Sequence, residues 1–113
     1  MRLVLNVSTP NKIRLAISDG TSSTFDSCKT NSALSYSTWY HITATYNGSS
    51  AKIYINGVLD ETFTTTITPG TFTPNATMIG SQNYSNRYFN GEISTLFTYN
   101  TALTAAQVLQ NYN

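Results

Sequence analysis

The stretch STWYHITATYNGSSAKIYINGVLDE, residues 37–61, predicts two strands joined by one turn and followed by a second turn. Apolar and aromatic side chains alternate along the first strand and so share one face of it: Tyr40, Ile42, Ala44 and Tyr46. Asn47-Gly48 turns the chain, and Ile53 and Ile55 supply the next inward pair. Asn56-Gly57 turns it again, because a type I′ hairpin prefers residues that tolerate positive φ angles. The stretch therefore predicts antiparallel β structure.

Further strands are predicted on both sides of this stretch. Before it, two short apolar alternations, Leu3 to Val7 and Ile13 to Ile17, form a hairpin around the turn Ser8-Thr9-Pro10-Asn11, and Asp19-Gly20 then begins a polar loop. After it, residues 77–79 and 93–99 are predicted strands. In the second of these, Ile93 and Leu96 are three positions apart, which does not fit the period of two of a strand and indicates a bulge or a strand covered on both faces.

The C-terminal residues carry the signals of one short helix. Thr104 and Gln107 have the spacing of a capping box, in which each side chain accepts a hydrogen bond from the other residue's backbone N–H. Leu103 and Val108 have the spacing of a hydrophobic staple around the same helix start. We therefore expect a helix over roughly residues 104–111 that packs as a lid on the edge of the sheets.

The composition limits the classes of function. The chain has 113 residues, the size of one domain, with 10% charged residues and a formal net charge of +1. Its basic residues are scattered, so we expect neither nucleic-acid binding nor attraction to an anionic membrane. No apolar run approaches the roughly 18 residues of a spanning helix, and nothing resembles a signal peptide, so a signal for export would lie outside this sequence. Cys28 is the single cysteine and cannot form an internal disulfide.

The order of several short motifs resembles the laminin G-like domains of the concanavalin A-like lectin/glucanase superfamily. Each motif is weak alone, and the resemblance lies in their order and spacing over residues 37–112. The motifs are Trp39-Tyr40-His41-Ile42, Tyr46-Asn47-Gly48, Ile53-Tyr54-Ile55-Asn56-Gly57, Met78-Ile79-Gly80, Tyr88-Phe89-Asn90-Gly91-Glu92-Ile93, Tyr99-Asn100 and Ala102-Leu103-Thr104.

The resemblance implies an all-β fold, an antiparallel jelly-roll β-sandwich of two packed sheets with a short C-terminal helix. Trp39 would close the sandwich edge at the start of a central strand. A full domain of the family begins with further strands before the part that matches Arg2 to Val7. Residues 1–113 are thus expected to form a single domain within a larger protein or assembly, with open edges that favour self-association or a partner chain that supplies strands.

The family's glucanases hydrolyse with carboxylates spaced as Glu-x-Asp-x-x-Glu on one strand face. This chain lacks that spacing, and adjacent residues such as Asp60 and Glu61 point to opposite faces of a strand. We expect no catalytic residues and no hydrolysis. The acidic residues are Asp19, Asp26, Asp60, Glu61 and Glu92.

Calcium is the one cofactor that the resemblance leaves open. Family members often hold it at the sandwich rim with acidic or amide side chains and backbone carbonyls. One such ligand would fall near Asn75, and Asp19 or Asp26 could build a different site. The alternative is that these aspartates only form turns.

A polar and aromatic loop, residues 81–88, is the candidate carbohydrate site. Tyrosine rings and planar polar groups occur together there, at Asn83, Tyr84, Asn86, Arg87 and Tyr88. The alternative is an ordinary loop whose tyrosines fold back onto the sheet.

Two functions are left open by the sequence. The first is a non-catalytic carbohydrate-binding or adhesion module of an extracellular, cell-surface or virion protein, which binds a glycan or glycoprotein. The second is a structural subunit of a surface fibre with strand exchange between chains.

Overall fold

The computed structural model describes residues 2–6, 11–20, 25–70, 79–82 and 87–113, which contain eight strands and one helix. The strands are β1 (Arg2–Asn6), β2 (Lys12–Ser18), β3 (Phe25–Lys29), β4 (Ile42–Tyr46), β5 (Ser50–Ile55), β6 (Val58–Thr64), β7 (Ser81–Gln82) and β8 (Arg87–Tyr88). The helix is α1 (Ala105–Tyr112). The described strands form sheets in the orders β1-β2-β3, β4-β5-β6 and β7-β8, and every pairing is antiparallel.

The two three-stranded sheets pack face to face through their central strands. Ile13, Leu15 and Ile17 of β2 form one buried cluster with Ala51 and Ile53 of β5. The alternation of a strand puts every second residue on one face, so the predicted period of two selects this core. The predicted antiparallel sandwich is confirmed.

The first hairpin is confirmed, and a strand beside it was missed. β1 pairs with β2 so that Leu3 lies opposite Leu15, while the turn at residues 7–10 lies outside the described residues. Sequence analysis assigned no strand to β3, which pairs with β2 from Lys29 opposite Arg14 to Phe25 opposite Ser18. The sequence FDSCK lacks a regular apolar alternation, so hydrogen bonding to β2 rather than local pattern decides this strand.

Both predicted Asn-Gly turns are present. The Asn47 side-chain oxygen accepts hydrogen bonds from the backbone N–H groups of Ser49 (3.1 Å) and Ser50 (2.8 Å). Asn56 and Gly57 have φ angles of 50° and 78°, the positive values that a type I′ turn requires at both central residues. These turns join β4, β5 and β6 as antiparallel neighbours in the order β4-β5-β6.

The C-terminal helix forms as predicted and packs on the second turn. Both hydrogen bonds of the capping box between Thr104 and Gln107 are present, and Val108 is fully buried. The helix lies so close to the β5–β6 turn that a Cβ added to Gly57 would be 3.0 Å from Leu109 Cδ1. The Asn111 side chain also donates a hydrogen bond to the Tyr99 hydroxyl (3.0 Å).

Two sequence predictions differ from the structure, and a third falls mostly outside the described residues. Residues 93–99 form no strand and belong to none of the described sheets. Residues 77–78 of another predicted strand lie outside the described residues, and Ile79 is in a bend. Trp39 was expected to close the sandwich edge, yet it lies in a loop ahead of β4 with 62% of its surface exposed.

Candidate functional site

The carbohydrate site predicted from sequence lies on the β7–β8 hairpin, which the structure describes only in part. Asn83, Tyr84 and Asn86 lie outside the described residues. Arg87 pairs with Gln82 in the backbone ladder, and Tyr88 pairs with Ser81. The Tyr88 side chain is 75% exposed, so this ring does not fold back onto the sheet.

A second exposed aromatic site lies in residues 31–41, here called the aromatic loop. Tyr36 is 80% exposed and Trp39 62% exposed, and they stand three positions apart. Sequence analysis treated Trp39 as part of the scaffold because the resemblance places it at the start of a central strand. The available signal was the composition SYSTWY, in which large rings alternate with small polar residues that offer them little cover.

A β-bulge in β6 anchors the start of the aromatic loop. The register shifts so that Ile53 lies opposite Glu61 and Tyr54 opposite Leu59, which leaves Asp60 as the extra residue. The Asp60 carboxylate accepts hydrogen bonds from the backbone N–H groups of Asn31 (2.6 Å) and Ser32 (3.1 Å).

The Asn31 side chain completes this clamp by donating to the Asp60 backbone carbonyl at 2.8 Å. A carboxylate that accepts two backbone N–H groups forms charge-assisted hydrogen bonds, which are stronger than neutral ones. Asp60 therefore positions the loop.

The rest of the aromatic loop is held by its own hydrogen bonds. The Ser35 backbone N–H donates to the Tyr40 hydroxyl (3.0 Å), and this bond lowers the pKa of the Tyr40 phenol. The Thr38 hydroxyl donates to the Tyr36 carbonyl (3.1 Å), and Ser37 between them has a φ of 54°. This left-handed conformation is uncommon outside glycine, so the loop has a defined shape.

The loop is also tied to the first sheet. The Thr30 side chain, which is buried, accepts a hydrogen bond from the Ile13 backbone N–H (3.2 Å) and donates to the Ser32 carbonyl (2.8 Å). The Leu34 backbone N–H donates to the Asn11 carbonyl at 2.7 Å. The aromatic loop thus bridges both sheets of the sandwich, which gives its exposed rings a rigid base.

The described residues do not assemble the candidate calcium ligands. Asp19 follows β2, while Asp26 lies within β3, opposite Ile17, and not in a loop as expected. Asn75 lies outside the described residues. Within the described part of the chain, no group of three or more His, Cys, Asp or Glu side chains is placed to hold a metal ion.

The other acidic residues take structural or isolated positions. Asp60 is engaged by the aromatic loop, and Glu61 accepts a hydrogen bond from the Thr62 backbone N–H (2.7 Å). Glu92 lies in an exposed segment outside the sheets. The absence of hydrolysis stays a prediction.

Cys28 is expected to be an unreactive thiol. Burial, together with the negative charge of Glu61, raises the pKa of the Cys28 thiol to about 11. Because the thiolate is the reactive form, only about one Cys28 thiol in a thousand is in its reactive, ionised form at pH 8. We expect slow modification by a disulfide reagent in the folded protein, with a rate that rises about tenfold per pH unit from pH 8 to 10.

Two controls define this measurement. The chain unfolded in guanidinium chloride should react at the rate of a free cysteine, and Glu61→Gln should react faster than the wild type because one of the two causes is removed. Rapid modification of the folded wild type at pH 7 would contradict the expectation.

No described helix has the length and apolar composition needed to cross a membrane. A search of curated protein sequences found no significant match.

A solved structure that is similar to this chain is that of an S-layer domain-containing protein, residues 221–444, from Clostridium thermocellum ATCC 27405. The TM-score is 0.63 with 26% sequence identity, and the match covers 90% of this chain and 52% of the other, so this chain spans about half of that one.

The family comparison agrees with the sheets and the core described above. The family model described as the concanavalin A-like lectin/glucanases superfamily matches residues 2–109, nearly the whole chain. The face-to-face packing of β2 against β5 is the arrangement that this match implies. The chain therefore belongs to the concanavalin A-like lectin/glucanases superfamily.

Proposed function

We propose that this chain is a non-catalytic carbohydrate-binding module of an extracellular or cell-surface protein, and that Tyr36 and Trp39 form its sugar platform. The observation that carries the proposal is the exposure of these two rings on a loop that Asp60 holds in place. An aromatic ring offers a flat apolar face, and the C–H faces of pyranose rings stack on such surfaces. The ligand class is therefore a glycan or glycoprotein with an accessible sugar face.

The polar surroundings of the rings suit a neutral sugar. The aromatic loop carries hydroxyl and amide side chains at its exposed positions, including Asn31, Ser35 and Ser37. The loop contains no Asp, Glu, Lys or Arg, so recognition would depend mainly on hydrogen bonds and stacking rather than on ion pairs. A loop that is already ordered loses little conformational entropy on binding, which favours affinity from a small contact area.

Placement at the cell surface is supported by the comparisons. A lectin-type fold and a structural neighbour taken from an S-layer domain-containing protein both support a module displayed outside the cell. Since this chain spans about half of that neighbour, the partners of the whole protein are part of the proposal.

Glycan-array screening followed by calorimetry tests the site. We expect Trp39→Ala and Tyr36→Ala each to weaken binding of the best array ligand by about tenfold or more, which corresponds to about 1.4 kcal/mol. Tyr88→Ala is the matched control, because Tyr88 is similarly exposed and lies on the other candidate site. Loss of binding in Tyr88→Ala alone would move the site to the β7–β8 hairpin, and the absence of any bound glycan would contradict the function.

Asp60 variants test whether the shape of the loop matters. Asp60→Asn keeps a side-chain oxygen that can accept one backbone N–H, whereas Asp60→Ala keeps none. Because Asp60 acts through the loop, we expect affinity to fall in the order Asp, Asn, Ala while the circular dichroism spectrum of the sheets is retained. Equal affinity in all three proteins would contradict the positioning role of Asp60.

A further inference from the structure

One face of the sheet β1-β2-β3, here called the basic face, brings together residues that lie far apart in the sequence. The core-facing residues of β2 are those of the buried cluster, Ile13, Leu15 and Ile17. Lys12 and Arg14 alternate with them along β2 and therefore lie on the opposite face, away from the other sheet. The two basic residues of β2 are thus on the outer side of the sandwich.

The neighbouring strands add two more basic residues to this face. Residues directly opposite each other in an antiparallel pair lie on the same face of the sheet, and Lys29 of β3 is opposite Arg14. Arg2 of β1 is opposite Ala16, the next outward position of β2. The register therefore gathers four of the six Lys and Arg residues of the chain, which are scattered in the sequence.

The formal charges are unevenly divided between this sheet and the rest of the chain. The three strands contain four basic residues and one acidic residue, Asp26, which is opposite the core-facing Ile17. Their formal charge is therefore +3, and the remaining residues carry −2 in a chain with a net charge of +1. Such a division creates a positive potential over one surface even though the net charge is small.

The basic face is open to a large ligand. Ser27 and Lys29 are exposed, and Lys12 and Arg14 are half-buried. Ala16 beside them is buried, which agrees with the way long basic side chains cover apolar surface with their aliphatic parts and keep the charged end in water.

The spacing of the positive groups suits a polymer. Arg14 and Lys29 are directly opposite each other, so their Cβ atoms lie about 5 Å apart. Lys12 and Arg14 lie about 7 Å apart along β2. Positive groups spread in this way over a flat sheet can contact a chain of repeated negative groups better than one small anion.

We propose that the basic face binds an acidic polysaccharide, whose uronic acid carboxylates lie against Lys12, Arg14 and Lys29. Charge complementarity supports a polyanion, because Lys and Arg form charge-assisted hydrogen bonds to carboxylates. A polysaccharide is favoured as the carrier of these charges, since the comparisons support display outside the cell. Single-stranded nucleic acid is disfavoured, because residues 12–16 and 27–29 contain no ring on which a base could stack.

The basic face is a different site from the sugar platform of Tyr36 and Trp39, which was proposed for a neutral sugar. The inference rests on the proposed function only in taking a glycan as the ligand. Trp39→Ala should therefore leave binding to the basic face unchanged, so that failure of one proposal can be distinguished from failure of the other.

Calorimetry with a galacturonic acid oligosaccharide of about ten units tests the proposal, and its methyl ester is the uncharged comparison. We expect the acid form to bind and the ester not to bind. We also expect the affinity for the acid form to fall about tenfold between about 50 and 200 mM salt, because salt screens the charge pairs.

Two charge-reversal variants locate the site. Lys29→Glu should weaken binding of the acid form at least tenfold, because it places a negative charge opposite Arg14. Lys52→Glu is the matched control, since it changes the net charge equally but lies on β5 of the other sheet, and it should weaken binding less than twofold. Circular dichroism spectra show whether both variants keep the sheets.

Several outcomes would overturn the proposal. They are a wild type that does not bind the acid form, equal binding of the methyl ester, and equal weakening by the two Glu variants. Tighter binding of duplex DNA or of phosphatidylserine vesicles at the same concentration of negative charge would make the occupant a nucleic acid or a membrane instead. Binding that is lost in Trp39→Ala and kept in Lys29→Glu would place the acidic chain on the sugar platform.

Discussion

Leu15→Ala is expected to lower the free energy of unfolding by about 3 kcal/mol, because it opens a cavity between the two sheets. Leu15 is fully buried and belongs to the cluster that joins β2 to β5. The loss combines the transfer free energy of the removed methyl groups with the packing contacts that the cavity forfeits. A domain of this size has only about 5–15 kcal/mol of stability in total, so the melting temperature should fall by about 10 °C or more.

Leu59→Ala is the matched control for this experiment. The chemical change is the same, but Leu59 is 48% exposed on β6, so most of the cavity term is absent. We expect a loss of less than about 1 kcal/mol. Denaturant unfolding at one fixed protein concentration measures both variants, since dimerisation would make the apparent stability depend on concentration. Equal losses in the two variants would contradict the assignment of the core to the β2–β5 contact.

Gly57→Ala is expected to have the second largest effect, because it disturbs the backbone and the helix together. Gly57 has a φ of 78°, where a side chain costs about 1 kcal/mol. Its new Cβ would also lie 3.0 Å from Leu109 Cδ1 and 3.1 Å from Tyr112 Cδ1, so these α1 side chains would have to shift by a few tenths of an ångström. We expect a total loss of about 2 kcal/mol and faster amide hydrogen exchange in α1.

Gly80→Ala separates the two causes. Gly80 has a nearly identical φ of 74°, but no atom lies within 4 Å of an added Cβ. Gly80→Ala should therefore lower the free energy of unfolding only by the cost of the positive φ, and amide hydrogen exchange in α1 should stay at the wild-type rate. If both glycine variants lost the same stability and the helix amides exchanged at the wild-type rate, the helix would not depend on its contact with the β5–β6 turn.

The parts of the fold that were predicted well are those that local chemistry decides. The Asn56-Gly57 turn and the Thr104–Gln107 capping box are made by residues close together in sequence, and both occur as predicted. The inward alternation of β2 likewise selected the core residues that meet β5. Signals of this kind reach only a few residues, which explains why they can be read without the rest of the chain.

The candidate site was predicted less well. The loop at residues 81–88 was identified by its composition, and most of its site residues lie outside the described residues. The aromatic loop was missed because its order depends on Asp60, which is 29 positions from Asn31 and is turned toward it by a bulge. A bulge shifts the alternation by one residue, and no local pattern in Leu59-Asp60-Glu61 announces it.

By itself, the sequence determined the antiparallel β structure, the two Asn-Gly turns and the start of the helix, since each follows from the preferences of neighbouring residues, while the sandwich was implied by the family resemblance. Only the tertiary structure decided which strand-like segments become strands. FDSCK forms β3 because β2 lies beside it, whereas ISTLFTY has higher strand propensity and forms none in the described fold. A β-strand is stabilised by hydrogen bonds to another segment, so its formation depends on a partner that may be distant in the chain or in a second molecule.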